Sequence, residues 1–153
     1  MVEERFGISR MADLSGLSKD TLRWYERQGM LPAVDRGTDG YRHYDERTAS
    51  LVILLARLRE TGMPVADMRT FARLIQEGAA SHGRRIALLE EHRERIREQQ
   101  QRLAEATEAL DQKVNHYEEL IAAGLDCLGH PVPENLRPQQ RDRGLVREGV
   151  NQI

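Results

Sequence analysis

The 153-residue chain has one cysteine, Cys127, few aromatic residues (5%), no long hydrophobic run and no excess of positive charge. A single thiol excludes an internal disulfide framework. The scarcity of aromatics beside 31% charged residues leaves little to bury in one sphere, which favours an elongated helical arrangement with a shared interface. No apolar stretch reaches the ~20 residues that a membrane-crossing helix needs. The first residues, Met1-Val2-Glu3-Glu4-Arg5, lack the apolar region of a secretory signal, so the expected compartment is the cytoplasm. The formal net charge is −2, and residues 1–77 hold 12 basic and 12 acidic side chains. A nucleic-acid contact therefore has to rest on the placement of individual arginines and not on bulk charge. Catalytic constellations are missing too. Asp and Glu are spread over helix faces, where charge is usually solvation. His43, His82, His92, His116 and His130 are scattered, and none makes a metal-binding helix spacing. No enzyme activity, metal or cofactor is expected, and the absence of a Cys cluster argues against an iron–sulfur redox sensor.

What is present centres on residues 18–45. Ser18 is a good N-cap for a helix through Gln28. On that helix Lys19, Arg23 and Arg27 lie four apart and share a face, and Gly29 is placed to end it. After Leu31-Pro32 comes a turn cluster, Gly37-Thr38-Asp39-Gly40. Tyr41-Arg42-His43-Tyr44 then alternates as a short strand does. Upstream, Phe6 to Leu14 reads as a first helix with Ile8, Met11, Ala12 and Leu14 on one face. The turn Ser15-Gly16-Leu17-Ser18 joins the two helices into a helix-turn-helix at about residues 8–27. Taken alone, this pattern fits any pair of antiparallel helices about as well. The hairpin at about 33–45, a wing bearing Arg and Tyr, shifts the reading to DNA, with the second helix in a major groove and the wing on the adjacent backbone. Asp45 can cap a third helix, Glu46 to Thr61, and Met63-Pro64 opens a fourth carrying Val65, Met68, Phe71, Leu74 and Ile75. The head thus spans residues 1–77.

Residues 78–83, Gly-Ala-Ala-Ser-His-Gly, read as a hinge. From 84 to 123 there is no Gly or Pro, which predicts one helix of about 60 Å at ~1.5 Å per residue. Leu89, Ile96, Leu103, Leu110 and Tyr117 repeat every seven residues, and Ile86, Val114 and Ile121 fall in the companion positions beside polar Arg93, Gln100 and Thr107. A lone helix cannot bury such a stripe, and a head of this size cannot cover its length. The expectation is a two-chain coiled coil. Residues 124–153 form a short polar tail with three prolines, too small for a separate effector domain and expected to be disordered beyond about Leu136.

Three pieces in this order, Thr21-Leu22-Arg23-Trp24-Tyr25-Glu26, Gly29-Met30-Leu31-Pro32 and Gly40-Tyr41-Arg42-His43-Tyr44, resemble the DNA-binding head of the MerR family of bacterial transcription regulators. The similarity runs from about Phe6 to about Ile75. Arg59-Glu60-Thr61-Gly62-Met63-Pro64 also resembles the family's third-to-fourth helix junction. One departure stands out: the family usually has Tyr, Phe or His where this chain has Trp24. The resemblance implies an all-α fold with a small β-wing, a winged helix-turn-helix head and a long antiparallel coiled-coil helix. It implies a homodimer on double-stranded promoter DNA that distorts the spacer between promoter elements and acts on RNA polymerase indirectly. Candidate DNA contacts are Ser18, Lys19, Thr21, Arg23, Trp24, Tyr25, Arg42, Tyr44 and Arg59, the last matching a phosphate-contacting position of the family. The family's metal sensors place Cys in the loop after the dimer helix, which makes Cys127 a candidate thiol sensor. No second Cys follows it, and Cys127 with His130 supplies two ligands at most, so no metal site is expected and the effector stays open. Two other functions compete: an accessory protein that bends DNA without an inducer, and a coiled-coil adaptor whose head binds protein.

Overall fold

A computed structural model describes residues 5–147. The head begins with β1 (Phe6–Gly7), α1 (Ile8–Ser15) and α2 (Lys19–Arg27), continues through β2 (Asp35–Arg36) and β3 (Arg42–Tyr44), and ends with α3 (Glu46–Glu60) and α4 (Val65–Gln76). A 3-10 turn, Gly78–Ser81, leads into α5 (His82–Ala123), and the tail carries a second 3-10 turn, Glu134–Leu136, and α6 (Arg137–Arg141). Two compact units divide the chain, one reaching to Ile96 and the other starting at Arg97.

Local chemistry sets the helix ends. The Ser18 hydroxyl accepts from the Thr21 N–H at 3.0 Å and so caps α2. Asp45 does the same for α3, accepting from the Thr48 N–H at 2.7 Å. Gly29 closes α2 at φ 72, which lets the Met30 N–H turn back to the Tyr25 carbonyl at 3.0 Å. A side chain there would resist that left-handed conformation. The hydrogen bonds from the Thr48 backbone and hydroxyl hold the Asp45 carboxyl below the usual carboxylate range. Asp45→Ala is expected to lower stability by about 1 kcal/mol, read as a lower urea midpoint at neutral pH. Because the folded pKa is depressed, this contribution is complete above the unfolded value of about 3.9 and is lost as pH falls through the folded value. An equal loss at neutral and strongly acidic pH would remove the carboxylate cap as its cause.

The sheet has order β1-β3-β2, antiparallel throughout, with Phe6 opposite Tyr44 and Arg36 opposite Arg42. This corrects the first helix expected from Phe6: Phe6-Gly7 is an edge strand and the helix starts at Ile8. The core lies between α1, α2, α3, α4 and the wing. Met11, Leu22, Met30, Tyr44, Val52 and Leu55 are fully enclosed, and Met68 and Phe71 seal the α4 side. Burying a side chain of this size contributes ~1.5–3 kcal/mol. Leu14, expected on the inner face of α1, is half exposed.

The hinge expected at 78–83 is instead a stitched turn. Ser81 is fully buried, and its hydroxyl is shared between the carbonyls of Leu74 and Gly78. Arg85 donates to Ser81 Oγ at 2.8 Å and to Gly78 O at 2.6 Å. In α5, Ile86, Leu89, Leu103, Leu110, Val114 and Tyr117 are all exposed in the single chain, and Ile96 and Ile121 are half-buried. The tail expected to lose order past Leu136 carries α6 there. Asp126 Oδ1 accepts from the N–H groups of Leu128 and His130, Gln140 donates to Leu125 O at 2.9 Å, and Arg143 pairs with Glu118. The part of that expectation covering 148–153 lies outside the described residues. No helix among the described residues is long and apolar enough to cross a membrane.

Candidate nucleic-acid interface

Helix α2 presents its sequence in two directions. Leu22 and Tyr25 go into the core, while Lys19 and Arg27 are exposed. Ser18 and Thr21 are occupied with each other at the cap, their hydroxyls 2.9 Å apart. Arg23 is half-exposed and held toward the helix start by Asp20, Nη1 to Oδ1 2.9 Å. Asp20 is almost entirely solvated, so this pair is weak and the guanidinium is available to a stronger anion.

Two open clefts flank α2. The first is lined by the start of α1 (Gly7, Ile8, Ser9), by Arg23, and by the wing residues Asp39 to His43. It brings together Arg23 and Arg42, which are distant in sequence. Arg42 Nε donates to Glu26 Oε2 at 2.7 Å, and both side chains are only 22% exposed. The pair ties the wing to α2. The wing turn is tight: a Cβ at Gly37 would sit 2.6 Å from His43 Nε2 and 2.9 Å from Asp39 Oδ1. Asp39 accepts from the Tyr41 N–H at 3.0 Å and lies 3.2 Å from His43 Nε2. The Tyr41 bond first, and His43 second, pull its carboxyl below the usual range.

The second cleft lies on the opposite side of α2. Thr21, Trp24, Tyr25 and Arg27 line it with Arg59 from α3 and with Met63, Val65 and Met68. Trp24 is half-buried, its ring centroid 5.8 Å from that of Tyr25. The Tyr25 hydroxyl is buried without a well-formed hydrogen bond. Burial raises its pKa, and the Arg59 guanidinium beside it offsets part of the rise.

Two expected contacts need correction. Tyr25 is 2% exposed and Tyr44 is fully buried, so neither ring faces outward. Tyr44 Oη has no hydrogen-bond partner among the described residues, and burial first, then the Glu26 charge, raise its pKa. Alternation along β3 puts Arg42 and Tyr44 on the inner side, where only the long arginine reaches the surface. Tyr41, overlooked on the sequence, is 73% exposed. The same alternation, anchored on a buried Tyr44, was the signal for it. Lys19, Thr21, Arg23, Trp24, Arg42 and Arg59 all border the α2 surface. Cys127 is exposed, with a free thiol. Among the described residues no group of three or more His, Cys, Asp or Glu side chains is placed to hold a metal ion.

A helix capped at a tight turn, crossed by a second helix and flanked by a three-stranded wing, defines a winged helix-turn-helix DNA-binding protein. Comparisons with known proteins agree. Residues 7–44 match the MerR family regulatory protein model and residues 51–113 match the model described as MerR, DNA binding. A curated relative, an uncharacterized HTH-type transcriptional regulator of Haemophilus influenzae, is 29% identical over 119 residues, covering 78% of this chain and 88% of its own. A putative MerR family transcriptional regulator from Listeria monocytogenes has a solved structure similar to this one. Its TM-score is 0.64 at 28% identity, over 77% of this chain and 90% of that one. HiNmlR, described as a MerR family regulator lacking the sensor domain and solved bound to promoter DNA, gives 0.59 at 28% identity, over 79% and 92%. The chain belongs to the MerR family of DNA-binding transcription regulators.

Proposed function

We propose that this regulator binds promoter DNA in the cytoplasm as a homodimer, with α2 of each head in a major groove. The observation that carries this is the pair of clefts beside α2, one with Arg23 and Arg42, the other with Trp24 and Arg59. They set guanidinium groups on both sides of the helix, at the places where backbone phosphates border a groove. Lys19, Thr21 and Arg23 are the groups offered to base edges, and Ser18 serves as the cap that orients them. The neutral charge of the head then matters little, because counterions are released only at these few positions.

The exposed stripe on α5 supports dimerisation. Ile86, Leu89, Ile96, Leu103, Leu110, Val114, Tyr117 and Ile121 are the expected interface, with the second copy antiparallel. Two heads held at a fixed separation can bend and untwist the DNA between them, at an elastic cost of a few kcal/mol offset by phosphate contacts. That realigns promoter elements for RNA polymerase without a direct contact. The protein acts by binding, not by catalysis. The test is titration of a labelled fragment from the region upstream of its own gene against scrambled DNA. Tight, salt-dependent binding of the first with bending of the fragment supports the reading. Tight binding without bending or inducer points to an accessory protein. No binding leaves the protein adaptor.

Cys127 is exposed in a loop ordered by Asp126, but it is a lone thiol. Cys127→Ser is expected to leave operator affinity unchanged within about a factor of two, or ~0.4 kcal/mol, and to leave the inducer response intact. Promoter activation in cells, compared across metals, aldehydes and oxidants, checks this. Loss of the response to one of them at normal protein level would make Cys127 the sensor.

A further inference from the structure

His92 stands in the third turn of α5, is 7% exposed, and takes no part in the α2 surface. Its ring reaches the end of α3, where Nε2 lies 2.9 Å from Thr61 Oγ1 and 3.2 Å from Thr61 O. The carbonyl can only accept. The Thr61 hydroxyl donates its hydrogen to Leu58 O at 2.6 Å, so it too accepts from the ring. Nε2 therefore carries a hydrogen and donates it to Thr61. Nδ1 is buried and has no hydrogen-bond partner among the described residues. One turn further on, Arg95 pairs with Asp67 in the first turn of α4 and with Glu91 at 2.9 Å.

A buried ring with one nitrogen unpaired is a poor device for stability alone. An apolar side chain of similar size fills the same space and leaves no orphaned atom. Thr61 is exposed, so water can take over its two acceptors when the ring is gone. What the imidazole supplies, and leucine cannot, is direction: a hydrogen bond from α5 to one residue of the α3 terminus. That terminus is otherwise closed by its own backbone, with Thr61 N to Leu58 O at 3.1 Å and Gly62 N to Arg59 O at 2.9 Å. Arg59 sits in the same turn and faces the second cleft beside α2.

We propose that His92 is a positioning residue: it fixes the last turn of α3, and with it the Arg59 guanidinium, against the start of α5. The proposal rests on the reading of Arg59 as a phosphate contact. A displacement of α5 is then passed to one DNA-contacting arginine through a single hydrogen bond, with Arg95 and Asp67 as the second tie to α4.

The experiment compares the full-length protein with His92→Leu and His92→Gln. The glutamine amide nitrogen reaches about as far as Nε2 and still donates. Three quantities are read: the thermal midpoint, amide hydrogen exchange at Thr61, Gly62 and Met63, and the salt dependence of binding to the fragment from upstream of its own gene. For His92→Leu the midpoint is expected to stay within about 2 °C while those three amides exchange about tenfold faster. The slope of log K against log salt becomes flatter by about two units for the bound dimer, the signature of one lost phosphate contact in each head. His92→Gln restores both. Unchanged exchange overturns the proposal. So does a midpoint that falls together with exchange in both variants, which would make the ring simple packing, or an unchanged slope despite faster exchange. If the wild type shows no salt-dependent binding, the functional reading fails by itself, and the exchange data still decide whether His92 holds the α3 turn.

Discussion

Leu103→Asp is expected to convert the proposed α5 homodimer to a monomer at micromolar concentration. Leu103 is 68% exposed in the single chain, yet it lies in register with Leu89, Ile96, Leu110 and Tyr117 at seven-residue spacing. Helix α5 runs His82–Ala123, so its midpoint falls between Arg102 and Leu103. In an antiparallel pair the midpoints meet, and each Leu103 packs near its own copy. The substitution then brings two carboxylates together in a seam where an apolar pair was expected. An uncompensated buried charge costs several kcal/mol, and ~4 kcal/mol is about a thousandfold in Kd. Operator binding should fall with it, since two linked heads bind by avidity and one does not. Sedimentation equilibrium and far-UV circular dichroism together decide the matter: a monomer that keeps its helix content is the expected result. An unchanged dimer would show that the α5 stripe is not the interface. Leu103→Met, which keeps an apolar side chain, should remain dimeric.

The helical framework was legible because its signals are local. Ser18 and Asp45 cap α2 and α3 as their side chains predict, and both helices end where a glycine follows. The length of α5 was legible for the same reason, since a run without Gly or Pro from 84 to 123 needs no knowledge of the rest of the chain. What escaped depends on distant partners. β1 is two residues long, shows no alternation, and exists only because Tyr44 and His43 lie opposite it. The inward turn of Tyr44 and Tyr25 follows from packing, so two residues offered as DNA contacts belong to the core. The glycine-rich 78–83 looked loose until Ser81 and Arg85 tied it down. The tail beyond Leu136 is polar, and its order comes from single hydrogen bonds such as Gln140 to Leu125, which composition does not encode. The candidate site was legible only as a set of arginines around α2. Their distribution into two clefts, and the Glu26 partner of Arg42, were not.

Arg42→Ala is expected to weaken operator binding by about ten- to thirtyfold, through two effects that separate experimentally. The first is the loss of the proposed phosphate contact, which lowers affinity for all DNA sequences alike and flattens the slope of log K against log salt by about one unit per lost contact, or about two for a bound dimer. The second is local. Arg42 Nε is bound by Glu26 at 2.7 Å, with both side chains mostly covered. Bonding at Nε leaves the two terminal nitrogens of the fork free for an anion. Removing the arginine strands the Glu26 carboxylate against the buried Tyr44 hydroxyl, whose pKa it already raises. For a pair this covered the stability loss is on the order of 1–2 kcal/mol, between the values for exposed and fully buried pairs. Glu26→Gln should leave the salt slope near the wild-type value, because the guanidinium remains, while lowering affinity a few-fold as the wing loses its tie to α2. Arg42→Ala with Glu26→Gln should recover part of the lost stability, since no lone charge is left behind, and none of the lost slope. The measurements are urea midpoints for the three variants and binding isotherms over a range of salt concentrations well below the melting temperature. Wild-type slope and affinity in Arg42→Ala would remove the wing from the DNA interface. A salt slope restored by the double substitution would show that Arg42 acts on DNA only by neutralising Glu26.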